Sequence, residues 1–391
     1  MTGRRRCSRA PALVAVALSL AACTAASASG HGGHPTTSTT PGSSAPTSTR
    51  APTTTTTTLP ASFGIGLLIE KWVEHSVDEK AVATDCGGGV IEPGRRLLTD
   101  VFYPSAAPST SPVLDAARAT AGAPYPVIVF AHGYDQLPSY YQALLDAWVK
   151  AGFVVVAPVF PCENAAYIAA IGGYVVADKE NLEADDLANE AGDVAFVVSQ
   201  LAAAAASPAS FLHPVLDMSK LALAGQSDGA TAVGALVYYL RDRSEYDNLP
   251  VKPLAVALLS GARYAAGYRP PPEPPAELSS ESTADECNPQ EFATLLYDVI
   301  HGDNWFLTID GATHLAPYTG VGQWASATEG ATTAWLELEL GWRSASAAAS
   351  ELATDGNMNG VTSLSHVQVA PPLADVLPLA DYGSAAACGL Q

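Results

Sequence analysis

The heptapeptide AGQSDGA, Ala224–Ala230, sets a serine between two glycines in the pattern G-x-S-x-G. A serine hydroxyl is a weak nucleophile until a neighbouring base takes its proton. Ser227 therefore needs an imidazole as base and a carboxylate to hold that imidazole in the right tautomer. The chemistry of such a trio is acyl transfer from a carbonyl centre. In 391 residues with 32 glycines the pentad alone is a weak signal. Its flanks must supply a strand that runs into the serine and a helix that runs out of it. They do: KLALAG (Lys220–Gly225) reads as a buried strand, and DGATAVGALVYYLRDR (Asp228–Arg243) reads as a helix. Gly225 and Gly229 then let strand and helix approach closely, and the helix N-terminus turns its amides toward the serine.

In sites of this kind the acid and then the base follow the nucleophile along the chain. His301, His314 and His366 lie downstream of Ser227. His314, in NWFLTIDGATHLAPY, sits in a loop after a strand and is the expected base. His301 reads as a helix-end or surface residue, and His366 as part of a C-terminal tail. For the acid, Asp285 in the segment Asp285–Pro289 is expected. It follows AELSSES, a strand that is less apolar than its neighbours. Asp310 reads as a turn former four residues before the histidine, and Glu281 would lie inside the strand. The tetrahedral intermediate also needs preorganised donors. AHGYD (Ala131–Asp135) follows a strand and offers the backbone N–H of Tyr134; the elbow offers that of Asp228.

Four segments, PYPVIVFAHGY, GQSDGA, DECNP and GATHLAP, occur in the right order. In this the chain resembles bacterial α/β-hydrolases. The subset that it resembles comprises dienelactone-hydrolase-like and cutinase-like esterases, polyester (PET) hydrolases among them, with platelet-activating-factor acetylhydrolase and chlorophyllase relatives. The resemblance runs from about Arg96 to Trp342. It implies a triad of Ser227, Asp285 and His314, with main-chain donors at Tyr134 and Asp228. It also implies a serine carboxylic-ester hydrolase without cofactor or metal, acting on a small or polymeric ester. The chain departs from the family pattern beside the serine, where Gln226 replaces the usual histidine and Asp228 an apolar residue. A lipase or other acyl hydrolase on the same fold, or a non-catalytic binding lipoprotein, are the alternatives.

The elements that must carry these residues are legible. RLLTDVFYP (Arg96–Pro104), PVIVFAHGY (Pro126–Tyr134), FVVVAPVFP (Phe153–Pro161) and PLAVALLSG (Pro253–Gly261) read as strands, several apolar throughout. LPSYYQALLDAWVKAG (Leu137–Gly152) and a long segment over Asn181–Ala206 read as helices. Fully apolar strands alternating with helices imply an α/β fold, a mostly parallel central sheet with helices on both faces. The proline-rich SGARYAAGYRPPPEPPA (Ser260–Ala276) is too short for a large cap domain. The expected site is an open cleft lined by Tyr134 and Tyr264.

Composition sets the wider frame. The formal net charge is −20. The first 22 residues carry four arginines and no acid, so a chain without them has 15 basic residues against 39 acidic ones. That surface repels nucleic acid. RRRCSR followed by PALVAVALSLAA reads as an export signal, since the apolar stretch is too short to span a bilayer. It ends in LAAC, Leu20–Cys23, which resembles a lipoprotein processing site and implies acylation of Cys23 and a membrane anchor. Ser29–Pro60 is almost only Thr, Ser, Pro, Gly and Ala, the composition of a tether. The expected organisation is a signal over 1–22, a tether over 23–61 and a catalytic domain over 62–391, in an exported, lipid-anchored or secreted protein. HGGH (His31–His34) reads as part of the tether. Cys86, Cys162, Cys287 and Cys388 match no zinc spacing; in an oxidising compartment they suggest two disulfides of open connectivity.

Overall fold

The computed structural model describes residues 62–74, 94–171, 187–239, 243–261, 269–288, 290, 293–294, 297 and 302–369. All belong to the compact unit Thr56–Gln391. The expected signal, Cys23, the tether with His31 and His34, Cys86, Tyr264, His301 and Cys388 lie outside the described residues. Among the described residues no helix is long and apolar enough to cross a membrane.

A ten-stranded sheet organises the domain. Its strands are β1 (Gly64–Glu74), β2 (Arg95–Ser105), β3 (Val113–Leu114), β4 (Tyr125–Ala131), β5 (Val154–Val159), β6 (Leu216–Gln226), β7 (Ala255–Leu259), β8 (Ala276–Ser282), β9 (Gly302–Ile309) and β10 (Thr362–Val369). The spatial order is β10-β9-β8-β7-β6-β4-β5-β2-β1-β3. Strands β5, β4, β6, β7, β8 and β9 run parallel. β2 joins β5 antiparallel at one side, and β10 joins β9 antiparallel at the other. The central strands β4 and β7 are buried along their whole length, as their unbroken apolar sequence requires.

The helices are α1 (Gln142–Ala151), α2 (Ala165–Ile171), α3 (Leu187–Ala206), α4 (Asp228–Tyr238), α5 (Arg243–Asp247), α6 (Ala316–Thr319), α7 (Gln323–Glu339) and α8 (Ala345–Asp355), with a 3₁₀ turn at Pro138–Tyr141 before α1. Two apolar clusters fill the two sides of the sheet. One joins Val194, Val197 and Leu201 of α3 and Val233 and Leu236 of α4 to Val127, Val129 and Leu223 of the strands. The other joins Trp148 of α1 and Trp335 of α7 to Ile128, Phe130 and Leu307. Helix α3 is also tied by charge: Arg95 of β2 donates from Nε and Nη2 to the Asp193 carboxylate at 2.7 and 2.6 Å, both residues buried.

Three expectations need correction. His366 is not in a tail: it lies on β10, opposite Trp305 of β9, with its ring stacked on the indole and bonded to Asp303. The helix after Ser227 ends at Tyr238 rather than Arg243, with Tyr239 in extended backbone. Strand β6 begins at Leu216, four residues before the expected start at Lys220.

Strand β8, AELSSES, is buried although it is polar. Its side chains pair with one another and with neighbours: Ser279 Oγ donates to Glu277 Oε1 at 2.5 Å, and Ser280 Oγ bonds Tyr318 Oη at 2.9 Å. The second Glu277 oxygen, Oε2, is buried without a hydrogen bond. Burial pushes the Glu277 carboxyl up to about 7. The folded protein therefore holds this proton more tightly than the unfolded chain does. Its contribution is complete below about pH 4.5 and is lost as pH rises through about 7. Glu277→Gln is expected to match the wild type at pH 4.5 and to exceed it by about 3 kcal/mol at pH 8. Urea unfolding at the two pH values measures the difference.

Candidate active site

The site is built at the C-terminal ends of the parallel strands, where loops of an α/β sheet carry function. Ser227 is the single residue between β6 and α4, with φ 56° and ψ −123°. Side-chain-bearing residues rarely adopt that conformation, and strain of this kind gathers at working sites. Backbone bonds hold it there: Ser227 N–H donates to the Leu259 carbonyl at the end of β7, and Thr231 N–H donates to the Ser227 carbonyl. The flanking glycines have no substitute. A Cβ at Gly225 would lie 2.3 Å from the Gly229 carbonyl oxygen, and one at Gly229 would lie 2.3 Å from that of Ala131.

His314 reaches the serine from the loop after β9. Its Nε2 is 2.8 Å from Ser227 Oγ, and its Nδ1 is 2.7 Å from Asp285 Oδ2. One tautomer satisfies both contacts, with Nδ1–H donating to the carboxylate and Nε2 accepting from the hydroxyl. The loop is clamped besides: His314 N–H donates to Glu286 Oε2 at 3.0 Å. Asp285 stands in the turn after β8, where its Oδ1 accepts the N–H groups of Cys287 and Asn288, each at 2.7 Å. Burial works to raise the Asp285 carboxyl. The bond and charge of His314, followed by bonds from Glu281 and Asn288, outweigh it and hold the group below the usual carboxylate range. Of the rival acids, Asp310 accepts from Thr283 Oγ1 and donates its N–H to Val361, a turn role, while Glu281 sits in β8 behind Asp285.

The loop after β4 faces the serine. A Cβ at Gly133 would lie 2.9 Å from Ser227 Cβ, which brings half-buried Tyr134 beside the site. His132 anchors this loop. Burial pushes its imidazole down to about 4, so it is neutral, and it bonds the Gly133 carbonyl through Nδ1 and accepts from Phe160 N–H through Nε2. Sequence reasoning missed the connection from loop to base. Gly133 N–H donates to Tyr141 Oη, Tyr141 Oη–H donates to Gln226 Oε1 at 2.7 Å, and Gln226 Nε2 lies 3.3 Å from His314 Nε2. The replacement of histidine by Gln226 was the available signal, but its partner Tyr141 is 85 residues away.

Asp228, the other departure, is half-buried at the first turn of α4. Burial raises its carboxyl, against a hydrogen bond from Glu163 and the charge of His314. Two carboxyls that share a hydrogen bond hold a proton between them, and the bond that Glu163 donates works against burial by favouring the carboxylate at Asp228. Asp285, Cys287 and His314 each bring one ligand-type atom within 4.8 Å of the others. Asp285 and His314 already bond each other there, and the chemistry built from them needs no metal ion.

Comparison with known proteins agrees with this architecture. A family model described as Chlorophyllase matches residues 96–245. The fold is similar to that of a ferulic acid esterase from Streptomyces cinnamoneus, with a TM-score of 0.53 and 16% identity, over 73% of this chain and 93% of that one. Comparison with curated proteins gives no match. The sheet order and this likeness give the chain the fold of an α/β-hydrolase, and its residues 96–245 are similar to the family described as Chlorophyllase.

Proposed function

We propose that the protein is a serine carboxylic-ester hydrolase. The observation that carries this reading is the continuous pair of contacts from Ser227 Oγ to His314 Nε2 and from His314 Nδ1 to Asp285. Ser227 Oγ attacks the ester carbonyl carbon while its proton passes to His314 Nε2. The N–H groups of Tyr134 and Asp228 receive the developing oxyanion. The carbon–oxygen bond to the alcohol breaks as His314 returns the proton to the leaving oxygen. Water, deprotonated by the same imidazole, then releases the acyl group from Ser227. Asp285 holds the ring and stabilises its cationic form throughout.

The proposed substrates are exposed or polymeric esters at an open, cutinase-like site. Support comes from exposed large side chains on the segments that follow two site loops: Tyr140, in the 3₁₀ turn after the Tyr134 loop, is 48% exposed, and Val321, beyond α6 after His314, is 93% exposed. Tyr264 is proposed as a further lining residue. We further propose export, anchoring through acylated Cys23 and a tether over 23–61, on the sequence features already given; of the two disulfides expected among the four remaining cysteines, the one that includes Cys162 is present.

The reading is tested by treating folded protein with a fluorophosphonate and mapping the adduct, alongside a panel of p-nitrophenyl esters, a ferulic acid ester and a polyester film. The expected result is one adduct, on Ser227, with ester turnover. A folded protein with neither adduct nor turnover would make it a binding protein. Activity should also fall toward acid, because a protonated His314 cannot accept the serine proton. The foot of that limb is expected to drop about tenfold per pH unit, and a rate that is flat down to pH 4 contradicts the assigned base.

A further inference from the structure

Behind the triad lies a second carboxyl that the reaction does not use. Glu281 is fully buried near the end of β8. Its Oε1 accepts from Ser260 Oγ–H and from Ser282 N–H, both at 2.9 Å. Its Oε2 is also buried, yet receives no N–H or O–H. The Asp285 carboxyl acts on it both through charge and through a carboxyl–carboxyl hydrogen bond, each of which strengthens its hold on a proton. Two carboxylates are acceptors only, so such a bond requires a proton on one of them.

The surroundings decide which. Asp285 takes three donors, the N–H groups of Cys287 and Asn288 on Oδ1 and the His314 imidazole on Oδ2. Those donors favour an anion. Glu281 has two protein donors on one oxygen and none on the other, in a fully buried position that disfavours charge. Burial accordingly holds Glu281 well above the ordinary carboxyl range, while Asp285 is held below it. Tyr318 of α6 fastens the arrangement by bonding both Ser260 Oγ and Ser280 Oγ, at 3.0 and 2.9 Å. Among the described residues, Asp285 and Tyr318 are the titratable groups that interact with Glu281.

We infer that Glu281 is a positioning residue: as a neutral carboxylic acid it donates a hydrogen bond from Oε2 to the Asp285 carboxylate, and so holds in place the group that orients His314. The inference rests on the serine-esterase reading of the same site. A hydrogen-bonded partner behind a catalytic carboxylate restricts its rotation and moderates its basicity.

The test compares Glu281→Leu and Glu281→Gln with the wild type through pH profiles of kcat and kcat/KM on a p-nitrophenyl ester. Glu281→Leu removes the donor. Its kcat is expected to fall about tenfold or more with KM unchanged, and its acid limb to move to higher pH as Asp285 becomes more basic. Glu281→Gln presents an amide N–H to Asp285 and a carbonyl to Ser260 and Ser282, as the neutral acid does. It is expected to restore kcat to within about fivefold of wild type and to return the acid limb to its wild-type position. The inference is overturned if the Gln variant moves the limb to lower pH by about one unit or more, which would mean that the wild type carries a negative charge at 281. It is equally overturned if the Leu variant keeps wild-type kcat and limb. Should the Leu variant fail to fold, the Gln limb alone decides. Turnover by Ser227→Ala would instead overturn the esterase reading itself, which separates the two failures.

Discussion

Ser227→Ala is expected to lower kcat by about 10⁵- to 10⁶-fold on any ester that the wild type hydrolyses, with KM little changed. The size follows from the role assigned to one atom. Without Oγ there is nothing to form the acyl intermediate, and His314 Nε2 has no proton to take. What survives is the donor pair and bound water, which retain a small fraction of the catalysis. The same change should leave the fold alone. The strained backbone at φ 56° is held by Ser227 N–H on Leu259 and Thr231 N–H on the Ser227 carbonyl, and alanine keeps both. The thermal midpoint should therefore shift by no more than about 2 °C. Single-turnover kinetics on the purified variant, with a thermal melt beside them, measures both. Turnover within tenfold of wild type would remove Ser227 as the nucleophile.

Asp285→Asn should be the next largest change, about 10⁴-fold in kcat at neutral pH, again with the fold intact. The reason is geometric. Asp285 Oδ1 faces two backbone N–H groups, those of Cys287 and Asn288, so an asparagine there must turn its carbonyl oxygen toward them. Its NH₂ then faces His314 Nδ1 and offers a donor where the wild type offers an acceptor. The imidazole answers by carrying its proton on Nε2, the nitrogen that should accept from Ser227. Site geometry survives while the proton is on the wrong nitrogen. The rate of fluorophosphonate labelling should fall in parallel with kcat, because labelling needs the same activated hydroxyl. Labelling at the wild-type rate would show that Asp285 does not hold the tautomer.

Local patterns in the chain carried much of this site. The G-x-S-x-G pentad between an apolar strand and a helix leads to Ser227, because the elbow requires small residues at Gly225 and Gly229 and a change of period at the serine. The loop after a strand leads to His314. Apolar strands alternating with helices lead to the parallel sheet, since strands buried on both faces must be apolar throughout. The selection of the carboxylate was less local. Asp285, Asp310 and Glu281 are all acids near suitable elements, and only the packing of β8 against β9 and α6 puts Asp285 on His314, Asp310 in a turn and Glu281 behind the pair.

By itself, then, the amino-acid order determined the setting of Ser227 between strand and helix, the loop that carries His314 and the class of sheet, because each rests on the period of side chains along one segment. Tertiary structure alone decided how polar β8 could be buried, that His366 lies on an edge strand, and that Tyr141 and Gln226 link the Gly133 loop to the base. These depend on pairing between groups tens of residues apart. A buried hydroxyl or carboxyl reads as a surface residue until its partner is known, and the partner is set by the three-dimensional contact rather than by any local pattern.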